Sequence, residues 1–369
     1  MILLLPSAIV KWSIAPKLGT MPSGSGVIDG QCLAIAAFRH CRHDGSRPLT
    51  LIGPSLGYRM TTADYQSLID APTWGFIEAT NAAYPPDTAA LTISDQRAIY
   101  DRMCRVFFQG YPPGVTARDE AVAGVPCRIY PGAGPVVIYL HGGGYVVGGL
   151  HSHDDVCAEI RARTGLTVVA VDYRLSPEHL HPAAFDDACG VVRALATKGP
   201  VVLAGDSAGA NLAAAAAHAL RGTGLVILGQ VLIYPGLGGD VNAGSYLTHA
   251  HAPMLTRDDV LFYKDIRHGG PPPEDDATVY PLRDTDFSGM PPTLTIGAEC
   301  DPLADDARDY AAKIRAAGGR AQWVEERGLV HGYLRARASV PRAAASFTRI
   351  VDAISAFSKS HRPYDGDAK

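Results

Sequence analysis

From Gly124 onward the chain alternates between short aliphatic, β-branched runs and longer stretches with helical spacing. Val136–Leu140, Thr167–Val171, Val201–Ala204, Gln230–Tyr234 and Thr293–Ile296 have strand length and little polar alternation, the pattern of strands covered on both faces. Between them, Ser152–Thr164, Phe185–Thr197, Ala210–Leu220 and Ala304–Ala317 place apolar residues at helical intervals. A repeated strand, crossover helix and strand predicts an α/β fold: a mostly parallel central sheet with helices on both faces. Gln322–Glu325 adds one more strand and Arg342–Ser358 a closing helix.

Upstream the pattern changes. Thr62–Ile69, Pro72–Ala83 and Ser94–Gln109 are spaced as helices, with Thr62 and Ser94 as N-caps. Residues 1–59 hold no sustained period; they contain the Pro22–Gly26 stretch and the polar, turn-rich His40–Pro48, and are read as an extension preceding the functional unit. Gly236–Pro281 breaks the later rhythm and is too long for a simple connection, so it predicts a lid or binding element.

The length of 369 residues leaves room for two or three units of about 150 residues each. With 47% apolar and 19% charged residues, the chain can fill a large core. A net charge of −4 without a basic stripe argues against a nucleic-acid partner. No apolar run reaches membrane-spanning length, and Met1–Val10 contains Pro6 and lacks the positive start of a signal peptide. Seven scattered cysteines without a C-x-x-C pair suit a reducing, cytoplasmic compartment better than a disulfide or zinc framework.

The chemistry concentrates at the ends of the predicted strands. Val201–Ala204 runs into Gly205-Asp206-Ser207-Ala208-Gly209 and then a helix, the strand-to-helix turn that exposes a strained nucleophilic serine beside a helix N-terminus. Gly53-Pro54-Ser55-Leu56-Gly57 repeats the spacing but lies in the unpatterned N-terminal region, upstream of every other candidate part, so Ser55 is read as having no catalytic role. His141-Gly142-Gly143-Gly144 follows Val136–Leu140, and a glycine turn there lets backbone amides approach a developing oxyanion. Gly144–Gly148 fits neither nucleotide-binding glycine pattern, so no cofactor is expected. A serine requires a base and an orienting carboxylate. Asp301 follows Thr293–Ile296 at the sheet edge, with Glu299 its nearest competitor; Asp305 and Asp306 fit the first turn of a helix. His331 follows the last strand and completes the order serine, aspartate, histidine; His361 is the weaker choice.

His151-Ser152-His153-Asp154-Asp155 has metal-ligand residue types, but Ser152 as N-cap with acids in the first turn explains it without a metal. His179, His181, His249 and His251 lie in connecting segments and are read as structural.

Together with Asp172-Tyr173-Arg174-Leu175-Ser176-Pro177-Glu178, these motifs resemble the hormone-sensitive-lipase family of α/β-hydrolases, nearest the bacterial acetyl esterases and short-chain carboxylesterases, from about Met60 to Phe357. The family more often has Ala at Ser176 and another Gly at Ala210. The resemblance implies an α/β-hydrolase fold with a helical cap. Residues 60–115 and about 236–281 would form that cap, and residues 116–369 the catalytic domain. It further implies Ser207, Asp301 and His331 as the catalytic triad. The oxyanion hole would comprise Gly142, Gly143, Gly144 and Ala208, with Gly142 shaping the turn and the other three donating. The expected partner is a small-molecule ester, and the family suggests a homodimer. An amide, lactone or thioester substrate, or a non-hydrolysing receptor of the same fold, are the rival readings.

Overall fold

The computed structural model describes residues 63–85, 88, 91–273 and 275–361. The expectations for residues 1–59, for Ser55 and for Thr62 as a cap fall outside these residues. The described chain begins with three helices: α1 (Tyr65–Leu68), α2 (Ala71–Ala83) and α3 (Ile93–Phe107). Strands β1 (Arg118–Val122), β2 (Val125–Tyr130) and β3 (Ala133–Leu140) follow, then α4 (Asp154–Thr164), β4 (Leu166–Val171), α5 (Ala183–Ala196), β5 (Val201–Asp206), α6 (Ala208–Leu220) and β6 (Ile227–Ile233). The inserted segment carries α7 (Ser245–Thr248) and α8 (Arg257–His268). The chain closes with β7 (Thr293–Cys300), α9 (Ala304–Ala316), β8 (Ala321–Val330) and α10 (Pro341–Ser358).

The eight strands form one sheet in the order β1-β2-β4-β3-β5-β6-β7-β8. It is parallel from β4 through β8, with β1 and β2 antiparallel at one edge. Strand alternation divides the core between the two faces. Val137 and Tyr139 join the cluster under α4 and α10, whereas Ile138 and Leu140 join the cluster under α5 and α6. Helix α6 is buried at every position except Ala219, and its alanines let it lie close against the sheet.

Several boundaries differ from the sequence expectations. Helix α3 starts earlier, capped by Thr92 rather than Ser94: Thr92 Oγ1 accepts the Asp95 amide and donates to the Asp95 carboxylate. Ser152 is not the cap of α4; its hydroxyl is turned into the preceding loop, donating to Gly149 O and accepting from Gly149 N–H. The strand expected over Gln322–Glu325 runs on to Val330, because the exposed Glu325 and Arg327 and the positive-φ Gly328 hide its buried end.

Register brings the chemistry to one edge. Leu140 of β3 pairs with Gly205 of β5, and Cys300 of β7 pairs with Val330 of β8. His141, Ser207, Asp301 and His331 are each the first residue beyond a strand's C-terminal end, the edge at which parallel α/β sheets build sites.

Candidate active site

Ser207 sits on the turn between β5 and α6 with φ +52° and ψ −119°, a conformation that costs about 1–3 kcal/mol for a non-glycine residue. The surroundings hold it there. Its amide donates to Ile233 O at 2.9 Å, and Gly209, in the first turn of α6, lies so close to β3 that a Cβ would lie 2.0 Å from Leu140 O. A side chain at Gly205 would likewise meet Gly209 and Leu140 backbone at 2.7–2.8 Å.

The three polar residues expected at this edge meet. Ser207 Oγ lies 2.8 Å from His331 Nε2, and His331 Nδ1 lies 2.7 Å from Asp301 Oδ2. Asp301 is fully buried and its other oxygen accepts the Leu303 amide at 2.8 Å. A carboxylate can only accept, so it accepts a hydrogen bond from Nδ1–H, which assigns the ring's proton to Nδ1 and leaves Nε2 free to accept from the serine hydroxyl. The Tyr234 ring lies 4.8 Å from that of His331, limiting its swing. Glu299, the competitor in sequence, instead accepts the Gly328 amide at 2.7 Å. His361 follows α10, with its amide on Ala356 O.

Gly143 and Gly144 line the same cavity as Ser207, Ala208 and His331. Among the described residues, no acceptor engages the amides of Gly143, Gly144 or Ala208. Gly143 has φ +129°, and a Cβ there would lie 2.1 Å from Val147 O. Gly142 differs. It does not line the cavity and its amide donates to Asp206 Oδ1 at 2.9 Å, so it is no free donor for an oxyanion, and its contact is that of a residue shaping the turn.

Behind the serine lies a buried network that sequence reasoning passed over. Asp206 accepts from Tyr139 Oη at 2.9 Å and lies 3.3 Å from His153 Nε2. Burial alone would raise its carboxyl, but His153, Tyr139 and Arg335 outweigh burial and hold it well below the usual carboxylate range. Burial pushes His141 down to about 4, so this ring is neutral; it stacks on Tyr173, whose hydroxyl donates to His141 O at 2.6 Å. The Asp172–Glu178 motif thus braces the glycine turn, and Arg97 of α3 ties it down through Ser176 O and the Glu178 carboxylate.

Asp206 was hidden as the variable position of the serine motif, and His153 as part of a helix start. The remaining members of that run have separate partners: His151 meets Asp101, Asp154 meets Tyr111, Tyr130 and Arg128, and Asp155 meets Arg337. His181 faces Thr278, and His249 faces Tyr65. No helix among the described residues is long and apolar enough to cross a membrane.

The cavity holds about 470 Å³ and is walled by Tyr84 after α2, Tyr100 and Met103 of α3, and Tyr263 of α8. This architecture has known counterparts. The family described as alpha/beta hydrolase fold matches residues 137–335. Carboxylesterase NlhH of Mycobacterium tuberculosis is 35% identical over 251 residues, covering 63% of this chain and 79% of the relative. Ethyl acetate hydrolase of Pseudomonas putida is 31% identical over 257 residues, 65% of this chain and 80% of the relative. The crystal structure of an esterase from the bacterial hormone-sensitive lipase family superposes with a TM-score of 0.71 at 28% identity, covering 78% of this chain and 98% of that one. The chain belongs to the hormone-sensitive-lipase family of α/β-hydrolases.

Proposed function

We propose that this carboxylic ester hydrolase works through a covalent acyl-serine and takes short-chain esters. The observation that carries the reading is the position of His331, which bridges Ser207 at 2.8 Å and Asp301 at 2.7 Å. As Ser207 Oγ attacks the ester carbonyl, His331 Nε2 takes its proton, and Asp301 stabilises the imidazolium it faces. The carbonyl oxygen becomes an oxyanion within reach of the Gly143, Gly144 and Ala208 amides, where one such donor is typically worth about 3 kcal/mol. Collapse expels the alcohol, which receives the proton from His331. Water, deprotonated by the same imidazole, then releases the acid and frees the serine.

Two features support the short acyl preference. The cavity volume lies toward the lower part of the range of ligand pockets, about 300–1,000 Å³. The inserted helix α8 carries Asp258, Asp259, Lys264 and Asp265 rather than a broad apolar face. We read α2, α3 and the 236–281 insertion as a cap, because all three contribute walls to the cavity. The five described cysteines, Cys104, Cys127, Cys157, Cys189 and Cys300, are all free, which supports a cytoplasmic setting.

The test is an acyl-chain profile of purified protein on p-nitrophenyl esters, with Ser207→Ala as control. The reading expects activity to peak at acetate to butyrate and to fall roughly 10⁴-fold or more in the variant. Near-normal turnover by Ser207→Ala, or a preference for emulsified long-chain triglyceride, would overturn it.

A further inference from the structure

The cavity wall carries a group of hydrogen-bond donors that no carboxylate among the described residues neutralises. Lys264 and Arg267, one helical turn apart on α8, both line it. Arg267 is buried, with its guanidinium 3.9 Å from the centre of the Tyr145 ring, immediately after the glycine turn. Its polar contacts are long, 3.4 Å to Val279 O, Thr278 O and His181 Nδ1. Lys264 Nζ lies 4.9 Å from the centre of the Tyr280 ring, on which Arg283 also stacks. The buried Tyr280 hydroxyl, also on the cavity wall, has no partner among the described residues.

No carboxylate of the described residues forms an ion pair with Lys264 or Arg267. The two carboxylates lining the cavity are engaged elsewhere, Asp206 with Tyr139 and Gly142, and Asp259 with Thr256. Asp276, whose carboxyl feels the Arg267 charge, accepts instead from Thr278 Oγ1 at 2.6 Å and the Thr278 amide at 2.8 Å. Asp265, the next residue after Lys264, is exposed; its charge acts on the ammonium without forming an ion pair with it. Burial, and then the neighbouring Arg283, hold the Lys264 ammonium below its usual value, a condition that an anion would relieve.

A half-buried ammonium and a buried guanidinium facing a largely apolar cavity, with an unpartnered hydroxyl beside them, form a site for a carboxylate. We infer that the preferred substrates of this cavity are esters that themselves carry a carboxylate, held by Lys264 and Arg267 while the ester carbonyl lies at Ser207. This rests on the esterase reading and names its substrate class. The chemical step is unchanged, and the carboxylate is bound rather than transformed.

The inference is tested with matched ester pairs. Mono-p-nitrophenyl glutarate against p-nitrophenyl valerate places the carboxylate on the acyl side; 4-acetoxybenzoate against its methyl ester places it on the alcohol side. For at least one pair, kcat/KM should favour the acidic member by about ten-fold, mainly through KM, and the preference should shrink as salt rises. Lys264→Arg should keep the preference, and Lys264→Gln and Lys264→Glu should reduce it and then reverse it. Because Lys264 is half-buried at the cavity wall, these variants leave the core intact. Turnover of the neutral members with no acidic preference in either pair, or a preference that survives Lys264→Glu, would overturn the inference and leave the esterase reading standing. No turnover of any member would remove both.

Discussion

The Gly142 amide donates to Asp206 Oδ1 at 2.9 Å, tying the glycine turn after β3 to the residue that precedes Ser207. The two backbone segments that would hold the oxyanion and the nucleophile are therefore fixed relative to each other by one buried carboxylate. Removing it in Asp206→Ala takes away the carboxylate that faces His153 Nε2, Tyr139 Oη and the Gly142 amide in the core. The expected loss is about 3 kcal/mol of stability. A shift of the glycine turn should lower kcat by roughly 10²-fold. Denaturant melts and steady-state kinetics check both, with Asp206→Asn as the milder variant; full activity in Asp206→Ala would show that the tie does not position the turn.

Packing of α6 against β3 makes a second, purely steric prediction. A Cβ at Gly209 would lie 2.0 Å from Leu140 O, a backbone atom of the central sheet that cannot move aside. Gly209→Ala should lose at least about 3 kcal/mol or fail to yield folded protein. Gly199→Ala, where a Cβ meets nothing within 4 Å, should stay within about 0.5 kcal/mol of wild type. Equal urea midpoints for the two variants would contradict the packing described.

Asp306 supplies a pH dependence. Its Oδ2 accepts the Leu237, Gly238 and Gly239 amides, pinning the start of the insertion to α9, while Oδ1 has no partner among the described residues. Burial pushes its carboxyl up to about 7 despite those donors. Above the ordinary carboxyl value the folded state therefore holds the proton more tightly than the unfolded chain. This group's contribution to stability is full below that ordinary value and fades as pH rises through about 7. Relative to Asp306→Asn, wild-type Tm should fall from about pH 5 to about pH 8. Parallel Tm curves for the two proteins would contradict this sign.

What the sequence made legible follows burial. β3, β4, β5, β6 and the start of β7 have buried cores of aliphatic residues, so their composition alone announces them. The edge strand β1, with Arg118 to Ala121 exposed, and β2, with Pro126 near its start, carry no such run and went unread. Ser207, Asp301 and His331 were legible because each follows a strand end. Asp206, His153 and Arg335 act through partners far away in sequence, and only the fold brings them together. The capping role of Thr92 was obscured by Ser94, two residues later, which offers the same hydroxyl chemistry.

The most direct test of the account is to locate the nucleophile. Purified protein is treated with a fluorophosphonate, and the adduct is mapped by mass spectrometry in wild type and in His331→Ala. The account predicts one adduct per chain, on Ser207, with labelling strongly slowed when the imidazole 2.8 Å away is removed. An adduct on another serine, or none at all while the wild-type protein still hydrolyses p-nitrophenyl acetate, would contradict it.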